Sequence, residues 1–133
     1  MERFLGRFAP QTYALLRLVA GLLFAQHGAQ KLFGLLGGFG GEPGNTAQLF
    51  SLIGLAGVIE FFGGLLIAVG LQAGVIAFIA SGEMAFAYFM AHAPRALFPI
   101  QNGGELAMLY CFLWLFIASK GSGIWSVDAL RKR

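Results

Sequence analysis

The stretch RLVAGLLFAQHGAQK, residues 17–31, decides how the chain is read. It has the makings of one apolar helix, yet it carries three ionisable side chains, Arg17, His27 and Lys31. At about 100° per residue, Arg17, Phe24, Gly28 and Lys31 fall on one narrow stripe, and His27 sits one position beside it. Such a segment is too apolar for the surface of a soluble domain. In lipid, ionisable groups are costly and face a bundle interior or a site. The charged stripe is therefore expected to point inward and to be answered by charge on other helices.

Working outward, the whole chain asks for lipid as its solvent. Of its 133 residues 58% are hydrophobic and only 11% charged, against about 25% charged in a soluble domain. The mean hydropathy is +0.76. A membrane helix needs about 20 mostly apolar residues, and the sequence predicts four of them, at about 11–36, 49–70, 73–91 and 104–119. The expected fold is all-α, an integral membrane four-helix bundle occupying residues 1–133 as a single domain. Residues 37–48, GGFGGEPGNTAQ, make a glycine-rich loop, and only Leu71 and Gln72 separate the second and third helices, which predicts a tight antiparallel hairpin. Basic residues followed by an apolar run imitate a signal peptide, but Arg17 lies within the run and the run continues past Gly28, so a retained first helix is expected.

Charge sets the expected orientation. Arg3, Arg7, Lys120, Arg131, Lys132 and Arg133 gather at the two ends, whereas Arg95 and Lys31 lie toward the other side. Basic residues mark the cytoplasmic face, so the N and C termini are both expected to be cytoplasmic, in the inner membrane. The net charge of +3 comes with no dense basic patch interleaved with aromatics, so no nucleic acid is expected as a partner. One cysteine, Cys111, allows neither an internal disulfide nor a CxxC pair. The phosphate-binding, nucleophile-elbow, zinc-protease and dinucleotide motifs are absent from the sequence.

The polar residues sort into two expected zones. In the inner one, Arg17 and Glu60 lie at similar depth and are expected to form a structural ion pair, with Glu83 beside them as a carboxylate lacking an evident partner and a candidate proton relay. In the outer one, His27, Lys31, His92, Asn102 and Glu105 are drawn from the first, third and fourth helices and are the candidate ligand-binding residues. Two readings of that zone stand side by side. His27 donates to a quinone carbonyl while Lys31 holds a negative charge, or Lys31 snorkels to the headgroups while His27 bonds a neighbouring backbone group or Glu105; Asn102 can also cap a helix whose positive end Glu105 favours. Two histidines also admit haem ligation, for which four short helices leave little volume. His27, His92 and Glu105 are chemically reasonable metal ligands, but no metal is assigned because their spacing fixes no geometry.

RLVAGLLFAQHGAQKLFG, GVIEFFGGLLIAVGL and NGGELAMLYCFLWLFIASKGSGIWSVD, in this order, are spread over the chain from residue 17 to residue 128. As a set they resemble the DoxX family of small inner-membrane proteins. The positions that carry the resemblance are Arg17, Gly21, His27, Gly28, Lys31, Glu60, Gly64, Asn102, Gly103, Gly104 and Glu105, while Glu83 stands outside the pattern. The resemblance implies a four-helix membrane protein and a link to thiosulfate:quinone oxidoreductase subunits or to complexes that handle thiol and oxidative stress. The first expectation for function is thus a membrane subunit of a redox system near the quinone pool, with a soluble redox enzyme as partner. The alternatives are a non-catalytic scaffold that recruits such an enzyme, and a small transporter that works as a homo-oligomer.

Overall fold

Among residues 1–132, which the computed structural model describes, all regular structure is helical and no strand occurs. Arg133, one of the basic C-terminal residues counted above, lies outside the described residues. Helix α1 runs over Glu2–Phe33. It starts nine residues before the expected Gln11. Pro10 occupies the first turn of the long segment Ala9–Phe33, where its missing N–H is harmless, and a 3-10 turn at Gly6–Phe8 carries the helix backward past it. It ends at Phe33 rather than Leu36 because Gly34 adopts a left-handed conformation, φ 64°, which stops the helix as only glycine does cheaply.

Helix α2, Leu52–Val69, begins three residues later than expected because Ser51 caps it, its hydroxyl accepting from Gly54 N–H at 3.1 Å. A π turn at Ile59–Gly63 interrupts its α geometry. Helix α3, Ala73–His92, closes in a second π turn at Tyr88–His92. The short α4, Pro99–Asn102, leads into α5, Glu105–Lys120, and Ser126 caps α6, Val127–Arg131. Three helices, α1, α2 and α3, are long and apolar enough to cross a membrane. Helix α5 has 16 residues, which at 1.5 Å per residue is about 24 Å, short of the roughly 30 Å hydrocarbon core.

The distribution of side chains is that of a protein dissolved in lipid. On α1 the inward face is Ala14, Arg17, Ala20, Gly21, Phe24, Ala25, Gly28 and Ala29, while Leu15, Leu16, Leu18, Val19, Leu22 and Leu23 face outward. Leucine gains little by leaving hydrocarbon for a protein interior, so small residues that let backbones touch are used inside instead. A Cβ on Gly21 would lie 2.6 Å from the Gly64 carbonyl oxygen, and one on Gly64 would lie 2.6 Å from the Ala25 nitrogen. A Cβ on Gly28 would collide with the backbone of Phe61. These contacts fix the antiparallel register of α1 and α2. Helix α3 lays Ala77, Ala80 and Met84 against Ala107, Tyr110, Trp114 and Ile117 of α5, and the Ser81 hydroxyl donates to the Cys111 carbonyl at 2.7 Å. Phe24 fills the space between these pairs, its ring 5.0 Å from Trp114 and 5.2 Å from Tyr110.

The start of α1, the α2–α3 turn and the C-terminal segment meet at one end of the molecule. Tyr13 donates to the Gly121 carbonyl at 2.6 Å. Asp128 reaches back to the start of α3, where its Oδ2 accepts from Gln72 N–H at 2.8 Å and from the Ser122 hydroxyl at 2.6 Å. Ser122 in turn accepts from Ala73 N–H at 3.3 Å. The first turn of α3 is thus capped by residues some 50 positions further along the chain.

Candidate functional site

Arg17 does not pair with Glu60. Its side chain is 1% exposed and ends among backbone carbonyls, with Nη2 donating to Trp125 O at 2.8 Å and Nη1 to Ile67 O at 3.5 Å. It packs on Gly70 and Ser126, and Asp128 is the acid within its electrostatic reach. The register explains the correction. Glu60 lies beside Phe61, which touches Gly28. Gly28 is eleven residues from Arg17, about 16 Å along the helix, beyond the length of an arginine side chain. The guanidinium therefore ties α1 to the α2–α3 turn and to the C-terminal segment.

The acid is answered by Lys31. Lys31 Nζ donates to Glu60 Oε2 at 2.6 Å, with the Glu60 side chain 4% exposed and that of Lys31 20% exposed. Three local features place this pair. Gly57 allows the stem of Lys31 to lie against α2, with 3.0 Å between the Lys31 Cβ and a Cβ built on Gly57. The π turn turns Glu60 inward. The first loop holds the end of α1, Ala47 N–H donating to Lys31 O at 2.7 Å.

Glu83 of α3 lies within the electrostatic reach of both Glu60 and Lys31. Its Oε2 is shielded from solvent and has no hydrogen-bond partner among the described residues. His27 is within reach of the Lys31 charge, and its ring stands edge-on to Tyr110 at 6.3 Å. Tyr110 of α5 stacks on Trp114 at 5.4 Å and is within reach of the Glu60 charge. Four helices thus bring two carboxyl groups, one ammonium, an imidazole and a phenol into one interior cluster. One carboxyl is held by the ammonium, and the other has a free oxygen.

The expected outer zone divides. His27 and Lys31 belong to the cluster just described. His92 and Asn102 belong to a separate latch over the α3–α5 connection. Asn102 is buried, and its amide donates to Tyr88 Oη at 3.2 Å and to Ala96 O at 3.1 Å, while its Oδ1 accepts from Gly104 N–H at 2.8 Å. His92 Nδ1 lies 3.2 Å from Asn102 O. Glu105 is exposed in the first turn of α5, where its charge favours the helix N-terminus, and none of its side-chain atoms bonds His27 or Lys31. A site built from His27, Lys31, His92, Asn102 and Glu105 together is not what the fold makes. Nor do three or more His, Cys, Asp or Glu side chains converge as metal ligands among the described residues.

Tyr110 and Asp128 were not among the predicted site residues. Tyr110 carries a weak signal, a phenol three residues after an alanine and four before a tryptophan on the buried stripe of α5. Asp128 carries none until the C-terminal segment is seen to fold back.

A sequence model of the DoxX family matches residues 12–93, a span that holds Arg17, His27, Lys31, Glu60 and Glu83. A protein of Haemophilus influenzae described as uncharacterized is 39% identical over 127 residues, covering 93% of each chain. No solved structure matches this chain. With charge turned inward on α1, glycine-mediated packing on α2 and a family match over most of its length, the chain belongs to the DoxX family.

Proposed function

We propose that the protein is the membrane subunit of a redox system acting next to the quinone pool, and that Lys31, Glu60, Glu83, His27 and Tyr110 form its proton-handling site. The observation that carries this reading is the free carboxyl oxygen of Glu83 beside a closed Lys31–Glu60 pair. Quinone reduction to quinol takes up two electrons and two protons. A membrane site for it needs a group that exchanges protons without being rebuilt at each turnover, and Glu83 meets that need. His27 and the Tyr110 hydroxyl are the donors that would meet a quinone carbonyl. The electrons are assigned to a soluble redox partner, because a single cysteine cannot form the dithiol–disulfide couple that would carry two electrons within this chain.

In this reading α5 completes a fourth span, and the bundle sits in the bacterial inner membrane. Arg3, Arg7, Lys120, Arg131 and Lys132 then mark the cytoplasmic end, where the start of α1 and the C-terminal segment meet, and Arg95 faces the other side. The test is a titration of the purified protein in lipid nanodiscs with a short-chain quinone analogue, read by quenching of tryptophan fluorescence. Wild type is expected to bind saturably, with His27→Ala and Lys31→Gln each weakening binding at least ten-fold. Equal binding by wild type and both variants would overturn the assignment and favour a scaffold that recruits the soluble enzyme.

A further inference from the structure

We propose that the groove between the C-terminal segment and the first turn of α3 holds the phosphate-bearing headgroup of an anionic phospholipid. The groove encloses about 410 Å³, within the roughly 300–1,000 Å³ of small-molecule sites. Its polar wall carries Lys120, at the end of α5, and Lys132, after α6, with Gln72 and Ser122 between them. Asp128 is the one acid on this wall among the described residues, and its Oδ2 already accepts from Ser122 and from Gln72 N–H. The groove therefore presents a surplus of positive charge and asks for an anion. A zwitterionic headgroup would bring its own ammonium against the two lysines.

The groove is also placed for a lipid rather than for a soluble anion alone. It lies where α3, one of the three helices able to cross a membrane, begins and where α5 ends, which places it at the headgroup level when α3 spans the bilayer. Val75 lines it and is 59% exposed, and below it Phe78 and Ile79 continue an outward apolar strip on α3. A phosphate between the lysines would send its acyl chains along that strip. Glu83 lies eight residues beyond Val75 on α3, about 12 Å along the helix, and lines no part of the groove, so the groove stands or falls independently of the quinone reading.

Native mass spectrometry of the purified full chain tests this, with phosphatidylglycerol, phosphatidylethanolamine and inorganic phosphate titrated separately. Wild type is expected to retain one phosphatidylglycerol in preference to phosphatidylethanolamine. Lys120→Gln with Lys132→Gln should weaken that retention about thirty-fold, from the loss of two cations at an anionic surface. The arginine double variant, Lys120→Arg with Lys132→Arg, should restore it, which separates binding from a folding defect. Arg3→Gln with Arg7→Gln, an equal charge loss at the same end, should leave it unchanged. Equal retention of the two lipids by wild type, or equal losses in the lysine and Arg3/Arg7 variants, would overturn the proposal. Saturation by inorganic phosphate at micromolar concentration, with lipid then excluded, would overturn the lipid as occupant.

Discussion

Lys31 Nζ stands 2.6 Å from Glu60 Oε2 and joins the last turn of α1 to the π turn of α2. Removing one member of a buried pair leaves the other charge uncompensated, at a cost of about 3–5 kcal/mol. Lys31→Met and Glu60→Gln are each expected to destabilise the protein by that order, and Lys31→Met with Glu60→Met to recover much of the loss. Arg17→Leu combined with Glu60→Leu should show no recovery, because the two sites share no contact and their effects add. Thermal unfolding in detergent, read by circular dichroism for both double-mutant cycles, separates these outcomes. Coupling in the Arg17 cycle and none in the Lys31 cycle would reverse the assignment.

The approach of α1 to α2 makes its own prediction. Gly28 leaves no room for a methyl group against the Phe61 backbone. Gly28→Ala should cost about 1–3 kcal/mol through overpacking. It should also displace the π turn and with it Glu60. Gly82 offers the control: nothing lies within 4 Å of a Cβ there. Gly82→Ala should be neutral or slightly stabilising, as helix propensity favours alanine. Equal melting temperatures for the two variants would argue against the close contact.

Asp128 gives the C-terminal segment a pH dependence. The hydrogen bond from the Ser122 hydroxyl is the largest influence; desolvation opposes it, and the bond from Gln72 N–H with the charges of Arg131 and Lys132 adds to it, so the carboxyl is held below the usual carboxylate range. A carboxyl with a lower pKa in the folded state stabilises above the unfolded pKa and loses that contribution as the pH falls through the folded value. Docking of residues 121–131 should accordingly weaken in acid. The protection factors for hydrogen exchange at Gln72 and Ala73, followed from neutral pH downward, should fall in wild type and be low throughout in Asp128→Asn. Protection that ignores both pH and the substitution would contradict this.

Asn102 separates the latch from the cluster. Its loss leaves the Gly104 N–H without an acceptor and Tyr88 Oη without its donor. Asn102→Ala should cost about 1–3 kcal/mol, the range for an unsatisfied buried group. Quinone-analogue binding should be unchanged once the protein is folded, as neither Asn102 nor His92 joins the Lys31 cluster. A selective loss of binding with normal stability would return Asn102 to the ligand site.

How far the sequence led follows from these particulars. The apolar helices, the hairpin at Leu71–Gln72 and the inward stripe of α1 were legible, because each rests on local composition and period. The partner of Glu60 was not. It depends on a register set by where α1 stops, at Gly34, and where α2 starts, at Ser51, and a shift of a few residues at each end moved Arg17 out of reach. The π turn adds a second error, since a 3.6-residue wheel misplaces every residue beyond Ile59. Arg17 finds backbone carbonyls, and a carbonyl acceptor at Trp125 leaves no trace in residue type. Glu83, a carboxylate without an evident partner in the sequence, proves to lie within electrostatic reach of Glu60 and Lys31.

The most direct test of the central claim is the pH profile of quinone-analogue binding in nanodiscs, measured for wild type and for Glu83→Gln. Glutamine keeps the shape of the side chain and removes its proton exchange. Binding to wild type is expected to vary with pH, and Glu83→Gln to lose the part of that dependence set by this carboxyl and so give a shifted, shallower profile, with the fold and the Lys31–Glu60 pair intact. Superimposable profiles for the two proteins would contradict it.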